Sequence, residues 1–246
     1  MKEVITKYLQ RNNFDKLDLQ AVLFDMDGII YNSMPAHDIS WRKTMREWEL
    51  ETKPDEIFIQ EGRPARFTIN MIFQRNLQRD ATEQEIEDLY KRKTDLFFKH
   101  DTGALISGIE ETVKIVKERG LIPILVTGSG QTGLWERLEG DLPGIFTPET
   151  MITAFEVEIG KPHPEPYLMG LEKAGNLKPN QAIVLENAPL GVESAHKANI
   201  FTVAVNTGPM SDHVLLDAGA DLLMDSLDSL NSILPKFFEI AETLKI

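Results

Sequence analysis

Two aspartates, Asp25 and Asp27, stand where a short apolar run, Ala21 to Phe24, ends abruptly before Gly28. An ionised carboxylate attacks phosphorus without first losing a proton, so Asp25 is suited to form an acyl phosphate. At a chain exit turned by Gly28, Asp27 can swing toward the same substrate and act as general acid and base. Three other segments offer matching chemistry. Thr127-Gly128-Ser129 follows the run Leu121 to Val126, and Glu186-Asn187 follows Ala182 to Leu185. Lys161, in Gly160-Lys161-Pro162, lies between them. Thr127, Ser129 and nearby N–H groups, Gly128 included, can donate to the oxygens of a transferring phosphoryl group. Lys161 balances the charge that gathers there. Magnesium prefers oxygen ligands, and Asp25, the Asp27 carbonyl and the Glu186-Asn187 segment supply them.

Such residues meet only if their apolar runs lie side by side. The runs at 21–24, 121–126, 182–185 and 201–205, with a weaker one at 222–224, read as strands. Helical patterns over 165–174, 189–198 and 211–218 lie between the later runs, and 109–119 reads as the crossover helix before the run at 121–126. Strands alternating with helices predict a parallel sheet covered on both faces, and unbroken apolar strands fit that burial. In open sheets of this kind ligands bind beyond the carboxyl ends of the strands, which is where the chemistry-bearing residues fall.

One interval is too long for a simple crossover. From Met34 to Gly103 the spacing is helical, with Trp41, Met45 and Trp48, then Ile69, Ile72, Phe73 and Leu77, then Ile86, Leu89, Tyr90 and Phe97. The prediction is an α/β chain with a Rossmann-like parallel-sheet core at 1–33 and 104–246, and an all-helical cap at 34–103. Residues 1–18 form an N-terminal extension to that core. Trp41, Trp48 and Phe73 are expected in the cap core.

Composition limits the partners. A formal net charge of −13 argues against nucleic acid, because phosphate backbones are met by basic surfaces. It also requires a phosphate substrate to be met by local positive charge, which favours a site built around a cation. The chain has no cysteine, so disulfides, thiolate zinc sites and cysteine nucleophiles are excluded. No apolar stretch predicts a membrane span, and Met1 to Asp18 lacks a signal-peptide core, so a cytoplasmic location is expected.

Together the four segments resemble the haloacid dehalogenase superfamily, in its β-phosphoglucomutase-like branch with a helical cap. Asp25-Met26-Asp27-Gly28 looks like the first motif, Thr127-Gly128-Ser129 the second, Lys161-Pro162 the third and Glu186-Asn187 the fourth. The resemblance runs from about residue 21 to 225 and places His37 where the branch has a histidine near the hinge. It implies magnesium-dependent phosphoryl transfer through an aspartyl phosphate. Two positions depart from the branch, which usually has Asp at Asn32 and Glu-Asp at Glu186-Asn187. A third departure is Glu61, in Gln60-Glu61-Gly62-Arg63, where β-phosphoglucomutase carries a lysine. Glu61 is expected to reach the metal when the cap closes, replacing the carboxylate lost at Asn187. Glu61-Gly62-Arg63 with Glu186-Asn187-Ala188-Pro189 looks most like the bacterial inorganic pyrophosphatases of the branch. Arg63, Arg66 and Lys161 are then the positive charges for pyrophosphate. The alternatives are a β-phosphoglucomutase or a sugar-phosphate phosphatase. A different class is suggested by Gly128-Ser129-Gly130-Gln131-Thr132-Gly133, which fits a dinucleotide-binding turn. That reading leaves Asp25, Asp27 and Lys161 without a role.

Overall fold

The computed structural model describes residues 1–130 and 133–246. Six parallel strands form one sheet in the order β3-β2-β1-β4-β5-β6. They are β1 (Ala21–Phe24), β2 (Ile122–Val126), β3 (Met151–Ile152), β4 (Ala182–Glu186), β5 (Phe201–Val205) and β6 (Leu222–Met224). Five match the predicted runs. The sixth, β3, has two residues, too few to show a pattern in the sequence.

Successive side chains on a strand point to opposite faces, and this sheet buries both. Val22, Phe24, Leu125, Ile183, Leu185 and Val203 enter one core. Helices α1 (Lys2–Asn12), α6 (Ile109–Glu118), α7 (Leu134–Asp141) and α11 (Leu227–Thr243) complete it. Ala21, Leu23, Ile124, Val126 and Val184 enter the other, against Tyr167 and Leu171 of α8 (Glu165–Lys173) and Ala195 of α9 (Pro189–Lys197). Helix α10 (Asp212–Asp217) lies between β5 and β6. The N-terminal extension is part of the first core. Ile5, Tyr8 and Leu9 are fully buried there, and the Tyr8 hydroxyl donates to the Asn199 carbonyl at 2.9 Å.

Between β1 and β2 the chain forms α2 (Met34–Glu47), α3 (Glu56–Ile59), α4 (Ala65–Leu77) and α5 (Glu83–His100). Their own core holds Trp41, Met45, Ile57, Ile69, Ile72, Phe73, Ile86 and Leu89. Helix α5 begins at a capping box in which Thr82 and Glu85 each satisfy the other's backbone N–H. Glu56 is buried against Arg75. Burial alone would raise its carboxyl, but Arg75 and the Lys53 N–H outweigh it and hold it below the usual range. Trp48 corrects an expectation: it ends α2 and is 37% exposed, outside the cap core. Leu77 and Tyr90, at helical spacing in the sequence, are exposed as well.

Two short linkers join this cap to the sheet, and they run side by side. Tyr31 bridges Leu105, and the Asn32 N–H donates to the Ala104 carbonyl at 2.8 Å. No helix among the described residues is long and apolar enough to cross a membrane.

Candidate active site

Strand order reverses around β1, which has β2 on one side and β4 on the other. The ends of these three strands bring Asp25, Thr127 and Glu186 together. The Asp25 N–H donates to the Leu185 carbonyl, extending the β1–β4 pairing to the residue that carries the carboxylate.

Lys161 is 3% exposed and reaches in from the loop before α8. Its ammonium has three protons and three acceptors: Asp25 Oδ1 at 2.5 Å, Glu186 Oε1 at 2.7 Å and the Val126 carbonyl at 3.2 Å. Burial alone would drive the ammonium to give up its proton, but Asp25 and Glu186 outweigh burial and raise its pKa. Glu186 is fully buried and saturated. Its Oε1 also accepts from the Tyr167 hydroxyl at 2.7 Å, and Oε2 accepts from the Asn187 and Ala188 N–H groups at 3.0 and 3.1 Å. Glu186 was expected among the metal ligands. Both of its oxygens are engaged by internal donors, and it holds Lys161 in place. Burial and the nearby Glu186 charge push the Asp25 carboxyl well above its usual pKa, with Lys161 pulling it down. Two carboxylates thus share one ammonium, and the pocket is short of positive charge.

Asp27 faces a second group of donors. Ser33 Oγ donates to its Oδ1 at 2.5 Å, and His37 Nε2 lies 3.4 Å from the same oxygen, without hydrogen-bond alignment. His37 Nδ1 is 2.9 Å from the side-chain nitrogen of Lys93. Burial would raise the Asp27 carboxyl, but His37, Ser33 and the more distant Lys93 hold it below its ordinary value. Lys93 itself is 7% exposed, with Trp41 and Phe97 rings 5.6 and 5.0 Å from its ammonium. Burial lowers its pKa, against the pull of Glu61 and Asp27.

The sequence did not point to Lys93, Ser33 or Tyr167. Lys93 left one trace: it falls on the same stripe of α5 as Leu89, Leu96 and Phe97, where a lysine is out of place.

The cap covers these groups. Gly62 has φ +82°, and a Cβ there would lie 3.1 Å from the Lys161 side chain, so only glycine fits without displacing it. The carbonyl of Gly62 lies over Gly128 in the loop after β2, where the Thr127 hydroxyl oxygen accepts the Ser129 N–H at 3.0 Å. Cap and core enclose a cavity of about 460 Å³. Its walls include Asp27, His37, Lys93, Glu61, Arg63, Gly128 and Ser129, with Trp41, Tyr90, Phe97 and Phe98 on the cap side. Arg63 makes no ion pair with any described residue. Arg66 corrects an expectation: it is bound to Glu83 on the outer surface of the cap and does not line the cavity. Of the dinucleotide-type turn, Gln131 and Thr132 lie outside the described residues.

Whether a cation fits can be judged from Asn187. Its Oδ1 is buried without a hydrogen-bond partner among the described residues, a costly arrangement for a lone acceptor. Its amide also packs so closely on Gly28, next to Asp27, that a Cβ on that glycine would come within 2.0 Å of Nδ2. No cluster of three or more His, Asp or Glu is arranged for a metal among the described residues. The donors that fit magnesium are therefore mixed: the Asp25 carboxylate, the Asp27 carbonyl and Asn187 Oδ1. They are all hard oxygens beside a pocket with excess negative charge.

A doubly wound sheet, with charged residues gathered at its strand ends under a helical lid, is the architecture of a capped α/β enzyme. The chain belongs to the haloacid dehalogenase-like hydrolases, whose family profile matches residues 22–205. A solved structure from Bacteroides vulgatus, described provisionally as a beta-phosphoglucomutase, is 45% identical. It covers 98% of each chain with a TM-score of 0.94. The phosphorylated carbohydrates phosphatase of Thermotoga maritima is 28% identical over 87% of this chain and 97% of its own length. Hexitol phosphatase A of Escherichia coli is 29% identical over 86% and 93%. These relatives place the chain in the branch that its motifs resemble. They do not carry the expected closeness to inorganic pyrophosphatases.

Proposed function

We propose that this protein hydrolyses a small phosphorylated substrate through a phosphoenzyme on Asp25. The observation that carries this reading is the buried Asp25–Lys161–Glu186 cluster beside the partnerless oxygen of Asn187. Asp25 attacks phosphorus, a bond forms from its oxygen to the phosphoryl group, and the bond to the leaving oxygen breaks. Asp27 gives a proton to that oxygen, then takes one from the water that frees the phosphate and restores Asp25. The low pKa of Asp27 suits the second task. An anionic substrate beside it raises the carboxyl and suits the first. Thr127, Ser129 and the Gly128 N–H hold the phosphoryl oxygens, and Arg63 lines the cavity with no ion pair to any described residue. Magnesium, held by Asp25, the Asp27 carbonyl and Asn187, would neutralise charge on the phosphoryl group and on the carboxylates.

For the leaving group, the relatives favour a sugar or polyol phosphate, since two of them are named for such substrates. The Trp41, Tyr90 and Phe98 walls suit a carbon skeleton better than a second phosphate. A phosphomutase, which returns the phosphoryl group to a sugar hydroxyl, would use the same Asp27. Pyrophosphate remains a second reading because of Glu61, which lines the cavity where β-phosphoglucomutase carries a lysine and whose charge acts on Lys93. The test is phosphate release with magnesium from hexose phosphates, polyol phosphates and pyrophosphate, together with conversion of glucose 1-phosphate to glucose 6-phosphate. A higher kcat/KM for organic phosphates supports the first reading, and pyrophosphate preference or net isomerisation replaces it. Release from none of them overturns the proposal.

Glu61 is assigned to the metal in the closed state, which gives a separate expectation. Glu61→Gln should raise the magnesium concentration for half-activation by roughly 10- to 100-fold, as losses of supporting metal contacts do. A magnesium titration with an unchanged midpoint and rate would remove Glu61 from the metal.

A further inference from the structure

Arg137 lies on α7, the helix that follows the Thr127–Gly130 loop, and it touches both linkers to the cap. Its guanidinium carbon stands 3.8 Å from the ring centroid of Tyr31, in the first linker. Its Nη1 is 3.1 Å from Asp101 Oδ2, where the second linker leaves α5. The Tyr31 hydroxyl donates to Asp141 Oδ2 at 2.8 Å, one helical turn beyond Arg137 on α7. Tyr31 is 1% exposed, Arg137 is about a quarter exposed, and Arg137 Nη2 is buried without a hydrogen-bond partner among the described residues. A guanidinium is planar and permanently charged, so one group can stack on a ring and pair with a carboxylate at once. None of these atoms reaches the cavity, and the catalytic proposal uses none of them.

We propose that Arg137 is a positioning residue that latches the two linkers to the cap against α7. The first linker leads from Asp27 to His37, and the second leads back from the helix that carries Lys93. Fixing both linkers against α7 fixes where the cap residues Glu61, His37 and Lys93 stand in the cavity beside Asp27. The inference rests on the reading of that cavity as the reaction site. Its mechanical part is independent of which substrate is turned over.

If closure precedes productive binding, releasing the latch lowers the closed fraction, and the apparent affinity falls by that same fraction. Substrate at saturation refills the closed state. Arg137→Met, which keeps the stem and loses the fork, should therefore raise KM for p-nitrophenyl phosphate about tenfold and change kcat little. It should also speed amide hydrogen exchange in 31–33 and 101–105 of the substrate-free protein. Arg137→Lys, with a charge but no fork, should fall between. Asp101→Asn tests the same contact if the methionine variant fails to fold, and combining the two should raise KM no further than the larger single change. Unchanged KM together with unchanged linker exchange overturns the latch, as does a fall in kcat at constant KM. Faster linker exchange in a protein that hydrolyses no phosphate ester would uphold the latch and reject the assigned reaction.

Discussion

Asp25→Asn is expected to lower kcat for phosphate release by roughly four to six orders of magnitude, as removal of a nucleophile does elsewhere. That loss corresponds to about 5–8 kcal/mol of transition-state stabilisation. The amide keeps the shape of the carboxylate, and Lys161 can still donate to its oxygen. Folding should therefore survive. Stability should even improve in the absence of metal, for a reason internal to the cluster. Asp25 and Glu186 share the charge of Lys161 in a buried pocket, and burial with Glu186 holds the Asp25 carboxyl well above its ordinary pKa. A carboxyl whose pKa is higher folded than unfolded costs stability once pH exceeds the unfolded value. The neutral amide escapes that cost. Thermal denaturation without metal should place Asp25→Asn at or above the parent protein. Adding magnesium should raise the parent more than the variant, because the variant lacks the charge that the cation relieves. Retained phosphate release would reject Asp25 as nucleophile. A destabilised, metal-free variant would reject the charge argument alone.

The cost and the function share an origin. If Asp25 is the nucleophile, it must stay anionic in a dry pocket, and the fold supplies one fixed ammonium there. The Asn187 oxygen, without a partner among the described residues, and the uncompensated carboxylate are the features that the proposed cation would satisfy. A fully neutralised cluster would be more stable and would offer a cation less.

Much of this was legible in the sequence because parallel strands buried on both faces read as unbroken apolar runs. The run Ala21–Phe24 stops at Asp25 and the run Ala182–Leu185 stops at Glu186, two of the three members of the buried charge cluster. Strand β3 was not legible, because Met151 and Ile152 alone carry no period. The cap's helical repeats were clear, yet Trp48 and Leu77 sit at helix ends, where the apolar stripe turns outward. The motifs located Glu186 but not its internal partners. Its saturation depends on Tyr167, Lys161 and two backbone N–H groups, and no spacing along the chain reports their convergence. Lys93 stayed hidden for the opposite reason. A lysine in an amphipathic helix reads as surface, and only the apolar neighbours on its stripe betray a buried charge aimed at His37.

The second large effect is expected at Lys161. All three of its protons are used, so Lys161→Met removes the bonds to Asp25, Glu186 and Val126 together. It also leaves two buried carboxylates facing each other. Breaking a buried ion pair from one side costs about 3–5 kcal/mol, chiefly through the charge left behind. For a chain of this size that is a fall in Tm of roughly 6–20 °C. Activity should fall by a further, separate route. The ammonium holds Asp25 in its attacking position and offsets charge near the phosphoryl group, and loss of one such donor costs on the order of 10²–10³ in kcat. The two effects can be pulled apart with Glu186→Gln in the same protein. Removing one of the stranded carboxylates should restore a good part of Tm while leaving kcat depressed, because the charge facing the substrate is still missing. Lys161→Arg should rescue neither, since its longer planar fork cannot enter a pocket closed by Gly62, Tyr167 and Glu186. Thermal denaturation and phosphate release on the three variants check this. If Lys161→Met is as stable as the parent, the ammonium does not hold the cluster together. If the paired variant regains kcat along with Tm, Lys161 serves the fold and not the reaction.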